Sequence, residues 1–563
     1  MTPRRQILVE NDEYAAVSEG RVRIRIGVCV FLIMLSLAIV RLAGLALFST
    51  SVTPSYDGER AELTRANITD RHGDILATTL PTYRLEARPK DIWDAAETAR
   101  KIAQVRPGLN YDEIYDRLTR QKQVVYLERG LSPREKEEVF AFGLPGLDFV
   151  LEPKRVYPNN RLASHVLGYT DPDLIGLAGL ELAYHESLSA PLAPDLVSSL
   201  DMRVQHILAT ELFATQQKFH ANTGAGIVLN IKTGEIIALA SVPDYDPNII
   251  DQNRPENRRN HATTSTYDLG SVFKPITIAL GLHENVINLT EVFPVHKPLV
   301  VRKKSVRDDH TSRVPLAVPE ILSESSNRGT AMIALRAGEA AHQAFLQNLG
   351  LFDRVPIEIS ESARPQIQEE WQDLTTVTVS YGHGISVSPL ALGASIGAML
   401  NGGEYIVPTL IKRDSANPDI RRRVISEKTS QTIRDLMRYV VTDGTGRNAA
   451  VPGYGVMGKT GTADKPSQGR YDEGSLVSSF VAAFPYDDPT YLVMITLDEP
   501  KAIEGTYGFA TAGWNATPTV GTVIERIAPV LGVKRRDPET LHSPFGKDVG
   551  RHAQSGTQAR TRL

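Results

Sequence analysis

The feature that most constrains this chain is a long apolar segment close to its N-terminus. Residues 26–48 read IGVCVFLIMLSLAIVRLAGLALF, a run of 23 positions with a single charge at Arg41. At 1.5 Å per residue, a helix of this length crosses a hydrocarbon core of about 30 Å. The sequence therefore predicts one transmembrane helix at 26–48. A cleaved signal peptide is the alternative, although its apolar core is usually only about 7–15 residues long.

Arginines stand directly before this segment and set its predicted orientation. Arg21, Arg23 and Arg25 lie within five residues of its start. Because positive residues are retained on the cytoplasmic side, residues 1–25 are predicted to form a cytoplasmic tail. All residues after 48 are then predicted to lie on the outer side of the cell membrane.

Charge and cysteine content exclude several kinds of protein. The 62 Lys and Arg residues against 66 Asp and Glu residues give a formal net charge of −4. This leaves no overall positive field to hold nucleic acid, so a nucleic-acid partner is not expected. Cys29 is the only cysteine, which excludes an intramolecular disulfide, a cysteine-rich zinc site and an iron–sulfur cluster.

Outside the predicted membrane helix, residues 60–195 are predicted to form a small mixed module. Apolar and polar positions alternate over residues 66–88, as in short strands with turns. Ser132 is a candidate N-cap for one of three predicted helices. These helices are predicted at 90–104, 111–121 and 133–142. The prolines of 190–195 indicate a linker to the next domain.

Residues 196–532 are predicted to form a second, larger α+β domain. Two apolar runs within 225–242 are joined by a Lys-Thr-Gly turn and predict a β-hairpin that is buried on both faces. Three further strands are predicted late in the domain, at 455–463, 475–484 and 491–498. Strands at both ends with helices between them predict one antiparallel sheet with a helical insertion. Residues 533–563 have few apolar positions and are predicted to be a disordered basic tail.

Ser271 and Lys274 form the first of three short polar motifs. An apolar run follows at 275–282, so the serine is predicted to open a helix and to share a face with the lysine. A desolvated lysine can lose its proton and then accept one from a serine hydroxyl. A helix N-terminus also favours negative charge on that oxygen. Taken alone, however, a four-residue pattern of this kind is common.

The other two motifs lie far along the chain. Residues 325–327 are Ser-Ser-Asn at the end of a predicted helix, where hydroxyl and amide groups can point at one place. Residues 459–462 are Lys-Thr-Gly-Thr on a predicted strand. Alternation along a strand places the lysine and the glycine on one face and both threonines on the other. The glycine allows the backbone of another chain, such as an extended peptide that adds to the strand, to approach closely.

In this order, the three motifs resemble the signature of penicillin-binding proteins and serine β-lactamases. Residues 267–271, Tyr-Asp-Leu-Gly-Ser, are similar to the family's Y-x-P-G-S, with Leu269 where proline is usual. The segment RANITDRHGDILA at 65–77 resembles a pattern of class B penicillin-binding proteins, with Ala66 in place of glycine. Residues 155–158 and 179–181 match later parts of the same non-catalytic module.

The resemblance implies a fold and an activity. The fold is the α+β penicillin-binding or serine β-lactamase-like transpeptidase domain, preceded by a class B pedestal module. The activity is peptidoglycan D,D-transpeptidation through a serine acyl-enzyme, and the run at 478–500 looks like the septal, division-specific enzyme. Alternatives are an elongation-specific transpeptidase, a β-lactam hydrolase, or a β-lactam sensor or scaffold without turnover.

The same resemblance assigns roles to residues of the three motifs. Ser271 is the nucleophile, Lys274 takes its proton, and Ser325 relays a proton to the leaving amine. Asn327 holds the donor peptide and helps orient Lys274, while Lys459 supplies positive potential. The implied substrate-binding residues are Thr460, Gly461 and Thr462. Backbone N–H groups of Ser271 and Thr462 are the implied oxyanion hole.

Partners and location also follow from the resemblance. The implied ligands are peptidoglycan stems ending in D-alanyl-D-alanine, and β-lactams that mimic them. A membrane-embedded glycan polymerase and other division proteins are the implied protein partners. Neither a metal nor a cofactor is expected. The chain is expected in the bacterial inner membrane, with its catalytic domain in the periplasm.

Overall fold

The structure is a computed structural model that describes residues 26, 28–36, 65–106, 108–251, 254–309, 312–413, 421–467, 470–537 and 545. Residues 28–36 are helical, but most of the predicted transmembrane segment 26–48 and all of the tail 1–25 lie outside the described residues. Where the chain is described, no helix combines the length and the hydropathy needed to span a bilayer. Residues from Arg65 onward form one compact unit, and its elements are numbered here in chain order.

The first part of this unit is built of short strands and helices. The strands are β1 Ile68–Thr69, β2 Ile75–Leu80, β3 Tyr83–Ala87, β4 Val125–Leu131, β5 Leu147–Leu151, β6 Lys154–Val156 and β7 Leu196–Val197. The helices are α1 Ala95–Val105, α2 Tyr111–Leu118, α3 Pro133–Ala141, α4 Ser164–Leu167, α5 Gly179–Ala183 and α6 His185–Ser189. The strands form two small sheets, in the orders β6-β2-β1-β7 and β4-β3-β5.

Capping side chains decide where these helices begin. The helix predicted at 90–104 starts later, at Ala95, because the Asp94 carboxylate accepts hydrogen bonds from two N–H groups of the first turn. The helix predicted at 133–142 is confirmed as α3. Its N-cap Ser132 accepts from the Glu135 N–H, and the Glu135 side chain accepts from the Ser132 N–H at 2.7 Å, which is a capping box.

A buried ion triad holds the segments of this module that carry the family resemblance. Glu181 accepts from Arg65 Nε at 2.6 Å and from Arg155 Nε at 2.7 Å. All three side chains are almost fully buried. Two guanidinium groups therefore share one carboxylate away from water, so removal of that carboxylate would leave two buried charges uncompensated.

The second part of the unit contains the remaining elements. Its strands are β8 Thr223–Asn230, β9 Ile236–Val242, β10 Val292–Phe293, β11 Leu299–Val301, β12 Lys304–Val306, β13 Leu316–Ala317, β14 Gln366–Ile367, β15 Ile385–Ser386, β16 Glu404–Ile406, β17 Arg421–Arg423, β18 Met457–Ser467, β19 Arg470–Phe484 and β20 Tyr491–Asp498. Its helices are α7 Met202–Lys218, α8 Lys274–His283, α9 Val318–Ser323, α10 Asn327–Ala337, α11 Glu339–Asn348, α12 Asp373–Ser380, α13 Pro389–Leu400, α14 Glu427–Thr442 and α15 Ala516–Val530. Short 3₁₀ turns lie at Pro89–Asp91, Pro255–Arg258, Gly270–Phe273, Arg447–Ala449 and Ala512–Trp514.

One five-stranded sheet organises this part, in the order β18-β19-β20-β8-β9. Every neighbouring pair is antiparallel, so early and late strands meet as the sequence predicts, and the β8–β9 hairpin is confirmed. Side chains alternate between two cores: Ile227 enters one and Val228 the other. Helices α7 and α15 cover the second core, while α8 and α13 contribute to the first. The α+β class is thus confirmed.

Strand β18 lies at one edge of this sheet, with only β19 beside it. Its other side packs against the turn at Gly270–Phe273.

Near the end of the described residues, Arg536 N–H donates to the Gly453 carbonyl at 2.8 Å, and the Arg536 guanidinium pairs with Asp487 at 2.6 Å. Apart from 533–537 and 545, the predicted tail 533–563 lies outside the described residues.

Candidate active site

Ser271 lies on the 3₁₀ turn Gly270–Phe273, and helix α8 begins only at Lys274. The serine therefore precedes the α-helix that it was predicted to open. Gly270 has a φ of 59°, a left-handed conformation that glycine adopts without strain. Its N–H donates to the carbonyl of Gly382 at 3.1 Å. Ser271 is half-buried on this turn, whereas Phe273 is buried in the core.

Two glycines allow the turn and strand β18 to touch through their backbones. A Cβ on Gly461 would lie 2.4 Å from the Leu269 carbonyl oxygen, and one on Gly270 would lie 2.6 Å from the Thr462 carbonyl oxygen. Both distances are too short for any side chain. The backbone that approaches Gly461 is the protein's own turn, whereas the prediction concerned another chain, and the contact places Thr462 directly beside the turn that carries Ser271.

The backbone of a third glycine packs against the turn that carries Ser271. A Cβ on Gly382 would lie 2.1 Å from the Gly270 carbonyl oxygen. Two residues later, Gly384 N–H donates to the Asp268 carboxylate at 3.0 Å. This loop lies outside the three polar motifs. The Gly-His-Gly spacing at 382–384 is the sequence signal that indicates such a close backbone approach.

Lys274 points from the first turn of α8 towards Ser325. Its Nζ is fully buried and donates to Ser325 Oγ at 3.0 Å and to the Ser325 carbonyl oxygen. Burial lowers the pKa of Lys274 to about 7, although the nearby carboxylates of Asp308 and Asp309 raise it. Because desolvation disfavours the charged amine, a substantial neutral fraction is present at neutral pH.

Lys459 reaches the same oxygen from strand β18. Its side chain is fully buried, and its Nζ donates to Ser325 Oγ at 3.1 Å and to the Thr460 carbonyl at 3.0 Å. Burial lowers the pKa of Lys459, and the charge of Lys274 lowers it further. Two amines from distant motifs therefore share one hydroxyl from the third motif. The three motifs that the sequence places far apart meet at Ser325 Oγ.

Ser325 occupies the short turn between helices α9 and α10. Its φ is 61°, a left-handed conformation that a residue other than glycine adopts rarely and at some cost. This conformation lets both the carbonyl and the hydroxyl of Ser325 accept from Lys274. The residue that contacts both lysines, Ser325, thus has a strained backbone conformation.

Asp308 is a residue that the sequence analysis missed, and it holds this turn in place. Its Oδ1 accepts from the N–H groups of Asn327 at 2.5 Å and Arg328 at 3.0 Å, and its Oδ2 accepts from Ser326 Oγ at 3.0 Å. A carboxylate at the N-terminus of α10 also interacts favourably with the helix dipole. Nothing near the Ser-Ser-Asn motif in sequence reveals the contact, because the carboxylate comes from 19 residues upstream.

Asn327 and the two threonines have partners of their own. The Asn327 side-chain amide donates to the Arg307 carbonyl at 2.8 Å, whereas the hydrogen bonds of Lys274 go to Ser325. Thr460 Oγ1 lies 3.0 Å from Thr445 Oγ1 and 3.2 Å from Lys459 Nζ. Although strand alternation separates Lys459 from Thr460, the long lysine side chain reaches back to its neighbour.

The Thr462 hydroxyl, on strand β18, contacts the segment that follows β20. It accepts from the Ala512 N–H at 3.1 Å, which leaves its own proton available for another acceptor. Within the described part of the chain, no group of three or more His, Cys, Asp or Glu side chains is arranged to hold a metal ion. The chemistry that this arrangement supports is proton transfer between a serine hydroxyl and buried amines.

Comparison with known families gives two matches. Residues 224–518 match the family described as the penicillin binding protein transpeptidase domain. Residues 60–191 match the penicillin-binding protein dimerisation domain. The first match includes all three polar motifs, and the second includes the buried ion triad.

Curated relatives align over most of their length. A probable peptidoglycan D,D-transpeptidase FtsI from Caulobacter vibrioides is 38% identical over 87% of this chain and 85% of its own. A probable peptidoglycan D,D-transpeptidase PenA from Neisseria gonorrhoeae is 32% identical over 85% of this chain and 86% of its own.

Solved structures share the fold. A crystal structure of penicillin-binding protein 3 from Mycobacterium tuberculosis, complexed with aztreonam, superposes with a TM-score of 0.67 at 24% identity, covering 85% of this chain and 98% of its own. A peptidoglycan synthetase from Bifidobacterium adolescentis gives a TM-score of 0.68 at 20% identity, covering 85% of this chain and 97% of its own.

Proposed function

The chain belongs to the penicillin-binding protein transpeptidases, as a class B member of the septal type, and from this we propose that Ser271 is the nucleophile with which it cross-links peptidoglycan. As a peptidoglycan D,D-transpeptidase, it joins peptide stems through a serine acyl-enzyme. One observation carries the assignment of residues: Lys274 and Lys459 both donate to Ser325 Oγ, at 3.0 and 3.1 Å. These contacts join one residue of each motif, and the turn that carries Ser271 directly precedes Lys274.

In the acylation step, Lys274 in its neutral form takes the proton of the Ser271 hydroxyl. Ser271 Oγ bonds to the carbonyl carbon of the penultimate D-alanine of the donor stem. The oxygen of the tetrahedral intermediate is held by the N–H groups of Ser271 and Thr462, whose segments contact one another at Gly270 and Gly461. The bond to the terminal D-alanine then breaks, and Ser325 passes the proton from Lys274 to the leaving amine.

The donor is held by groups along strand β18. Lys459 supplies positive potential for the terminal carboxylate, and the hydroxyls of Thr460 and Thr462 donate to it. The Thr462 hydroxyl can do so because its contact with Ala512 N–H uses it only as an acceptor. Asn327 Oδ1 accepts from the donor peptide, since its amide nitrogen is held by the Arg307 carbonyl. Gly461 packs the strand against the nucleophile's turn and thereby positions the edge to which the peptide backbone adds.

In the second step, an amine of a neighbouring stem attacks the ester carbonyl. The new amide bond forms, the bond to Ser271 Oγ breaks, and the serine recovers a proton. A β-lactam acylates the same serine because its ring amide mimics the donor terminus.

We also propose the arrangement of the chain around this domain. Residues 196–532 are the transpeptidase domain and 60–195 the pedestal or dimerisation-type module, supported by the family matches over similar ranges. Residues 26–48 form a single transmembrane helix with residues 1–25 in the cytoplasm, supported by the apolar run and the arginines before it. The catalytic domain then lies in the periplasm. Its partners are a membrane-embedded glycan polymerase and other division proteins.

The assignment is tested by the variant Ser271→Ala. This variant is expected to lose all labelling by a fluorescent penicillin, because the acyl-enzyme ester has no oxygen on which to form. A matched control, Ser187→Ala, removes the hydroxyl of an exposed serine on α6 and is expected to label normally. Circular dichroism spectra establish that both variants fold. Labelling that persists in folded Ser271→Ala would place the nucleophile elsewhere.

A further inference from the structure

A short basic hairpin lies beside the Ser-Ser-Asn motif, and no step of the proposed reaction uses its side chains. It consists of β11 Leu299–Val301 and β12 Lys304–Val306, which pair in antiparallel register. Its turn is formed by Arg302 and Lys303, whose φ values are 45° and 68°. A two-residue turn with a left-handed backbone matches the twist of the strands on either side. The hairpin is therefore a defined structural element.

Hydrogen bonds fix the base of this hairpin to the motif. The Asn327 side-chain amide donates to the Arg307 carbonyl at 2.8 Å. The next residue, Arg328, donates from Nε to the Val306 carbonyl at 3.0 Å and from Nη1 to the Val295 carbonyl at 3.0 Å. The position of the hairpin relative to the active-site turn is thus set by two consecutive residues of α10.

Three cationic side chains of the hairpin are available to a ligand. Lys303, Lys304 and Arg307 are exposed, and within the described part of the chain they form no ion pair. Arg302, in contrast, donates from Nη1 to the side-chain oxygen of Gln372. Residues 299–307 contain no acidic side chain that would offset these charges. We call Lys303, Lys304 and Arg307 the basic track; it attracts anionic groups.

Two acidic residues follow the basic track. The Asp308 carboxylate accepts from Ser326 Oγ and from N–H groups of α10. Asp309 is exposed. Burial lowers the pKa of both Lys274 and Lys459, and the charge of Asp309 opposes this shift in both. The sign of the exposed charge therefore changes from positive to negative between the track and the catalytic lysines.

The second step of the reaction needs a binding surface for another peptide stem. The donor stem is assigned to β18, because its carboxylate binds at Lys459 and Thr460. The acceptor amine must then reach the acyl-enzyme along a different wall of the site. The Ser-Ser-Asn turn is such a wall, and its Asn327 contacts the backbone of Arg307 at the base of the track.

The charges of an acceptor stem have the opposite order to those of this surface. Its γ-linked glutamate carries a free α-carboxylate, and the following diamino acid ends in the ammonium group that becomes the attacking amine. Lys304 and Arg307 are three residues apart, which is about 10 Å along a strand. An extended peptide covers about 3.3–3.6 Å per residue, so two or three residues of a stem match the length of the track.

We propose that the basic track binds the acceptor stem through the carboxylate that precedes its diamino acid, and so directs the amine past Asp309 to the acyl-enzyme. The inference rests on the proposed function, because it assumes an ester on Ser271. In the step concerned, the amine nitrogen bonds to the ester carbonyl carbon, and the bond from that carbon to Ser271 Oγ breaks. The track forms no covalent bond and acts on the choice of acceptor.

Two acceptors that differ in one group test this choice in the full-length enzyme. N-acetyl-γ-D-glutamyl-L-lysine amide has a free carboxylate, whereas N-acetyl-D-isoglutaminyl-L-lysine amide has a neutral amide there. Both attack with the same ε-amine. The enzyme is acylated with a soluble N-acyl-D-alanyl thioester, and both acceptors are supplied at equal concentration. Because they compete for one acyl-enzyme, the ratio of their products by mass spectrometry does not depend on the rate of acylation.

The acidic acceptor is expected to be preferred about two- to fivefold, the usual effect of an exposed ion pair. The preference is expected to fall towards one when salt is raised to about 0.5 M, since exposed charges are screened. A wild-type ratio near one at low salt would overturn the proposal.

Variants connect the preference to the hairpin. Arg307→Gln, and the double variant Lys303→Gln with Lys304→Gln, are each expected to lower the product ratio towards one. The matched control Lys428→Gln removes an exposed cation from α14 and is expected to keep the wild-type ratio. Thermal melting establishes that each variant folds. Wild-type ratios in both folded hairpin variants would overturn the basic track.

Two further outcomes separate this inference from the proposed function. If thiol is released from the thioester but neither acceptor gives a product, the basic track is overturned while the acyl-enzyme stands. If the wild type neither releases thiol nor labels with a fluorescent penicillin, the proposed function fails first and the track with it.

Discussion

The rate at which a β-lactam acylates Ser271 should follow the titration of a buried lysine at neutral pH. Lys274 is fully buried, and burial lowers its pKa from 10.5 to about 7. Only the neutral amine can accept the serine proton. Acylation is therefore expected to increase as pH rises through about 7 and to level off above about 8.

The size of the increase separates a shifted lysine from an ordinary one. With a pKa of about 7, the neutral fraction rises from roughly 0.09 at pH 6 to roughly 0.9 at pH 8, which is about tenfold. With a pKa of 10.5, the neutral fraction would rise about a hundredfold over the same two units and would show no plateau. Both the amplitude and the shape of the profile are thus fixed by the burial of one side chain.

The assay is the second-order rate constant for labelling by a fluorescent penicillin, measured at half-unit steps from pH 5.5 to 9. Thermal melting at each pH identifies any step where unfolding contributes. Lys274→Arg is the matched variant, because a guanidinium group stays protonated throughout this range. It is expected to lose at least about a hundredfold in rate, the usual contribution of a general base. A flat wild-type profile would refute the assignment of Lys274 as the base, whereas a hundredfold rise without a plateau would refute its lowered pKa.

Three other substitutions have expected outcomes. Gly461→Ala puts a Cβ 2.4 Å from a backbone carbonyl, so it should slow penicillin labelling at least about tenfold by separating β18 from the nucleophile's turn; wild-type rates would contradict this packing. Asp308→Asn weakens three hydrogen bonds at the start of α10 and should cost about 1 kcal/mol in urea unfolding. It should also move the midpoint of the pH profile below that of the wild type, because this carboxylate raises the pKa of Lys274; an upward move would be inconsistent with the contact. Glu181→Gln leaves Arg65 and Arg155 without their shared carboxylate and should destabilise the chain by about 3–5 kcal/mol in urea, while Glu525→Gln should not.

The centre of the main sheet could be predicted from the sequence because β8, β9 and β20 are long apolar runs. The β8–β9 hairpin and strand β20 lie where continuous apolar runs predict them, and β20 has the predicted bounds. Helix starts were harder to predict. The helix expected from residue 90 begins at Ala95. The Asp94 carboxylate accepts hydrogen bonds from N–H groups of the first turn, so Asp94 is the N-cap and the residues before it are not part of the helix.

The site could be predicted only at the level of motifs. The order of the three motifs predicts that Ser271, Lys274 and Lys459 come together, but not that Ser325 Oγ is the common acceptor. That role depends on a left-handed backbone at Ser325 and on a carboxylate from Asp308. Contacts of this kind join segments that are distant in sequence, so no local pattern of residues contains them.

The same burial that makes Lys274 a base also lowers the stability of the folded chain at neutral pH, and the two effects can be separated. Between pH 7 and 10.5 the unfolded chain keeps a proton on this lysine that the folded chain has lost. The contribution of Lys274 to the free energy of unfolding therefore rises across that interval and is constant below it and above it. The burial of Lys459 lowers its pKa and acts in the same direction. Acylation, in contrast, reaches its plateau once the folded-state amine is neutral, near pH 8. Acylation is therefore expected to level off while the contribution of Lys274 to stability still rises. This combination is expected of an active site that keeps its amines neutral by burial, at a cost to the stability of the fold.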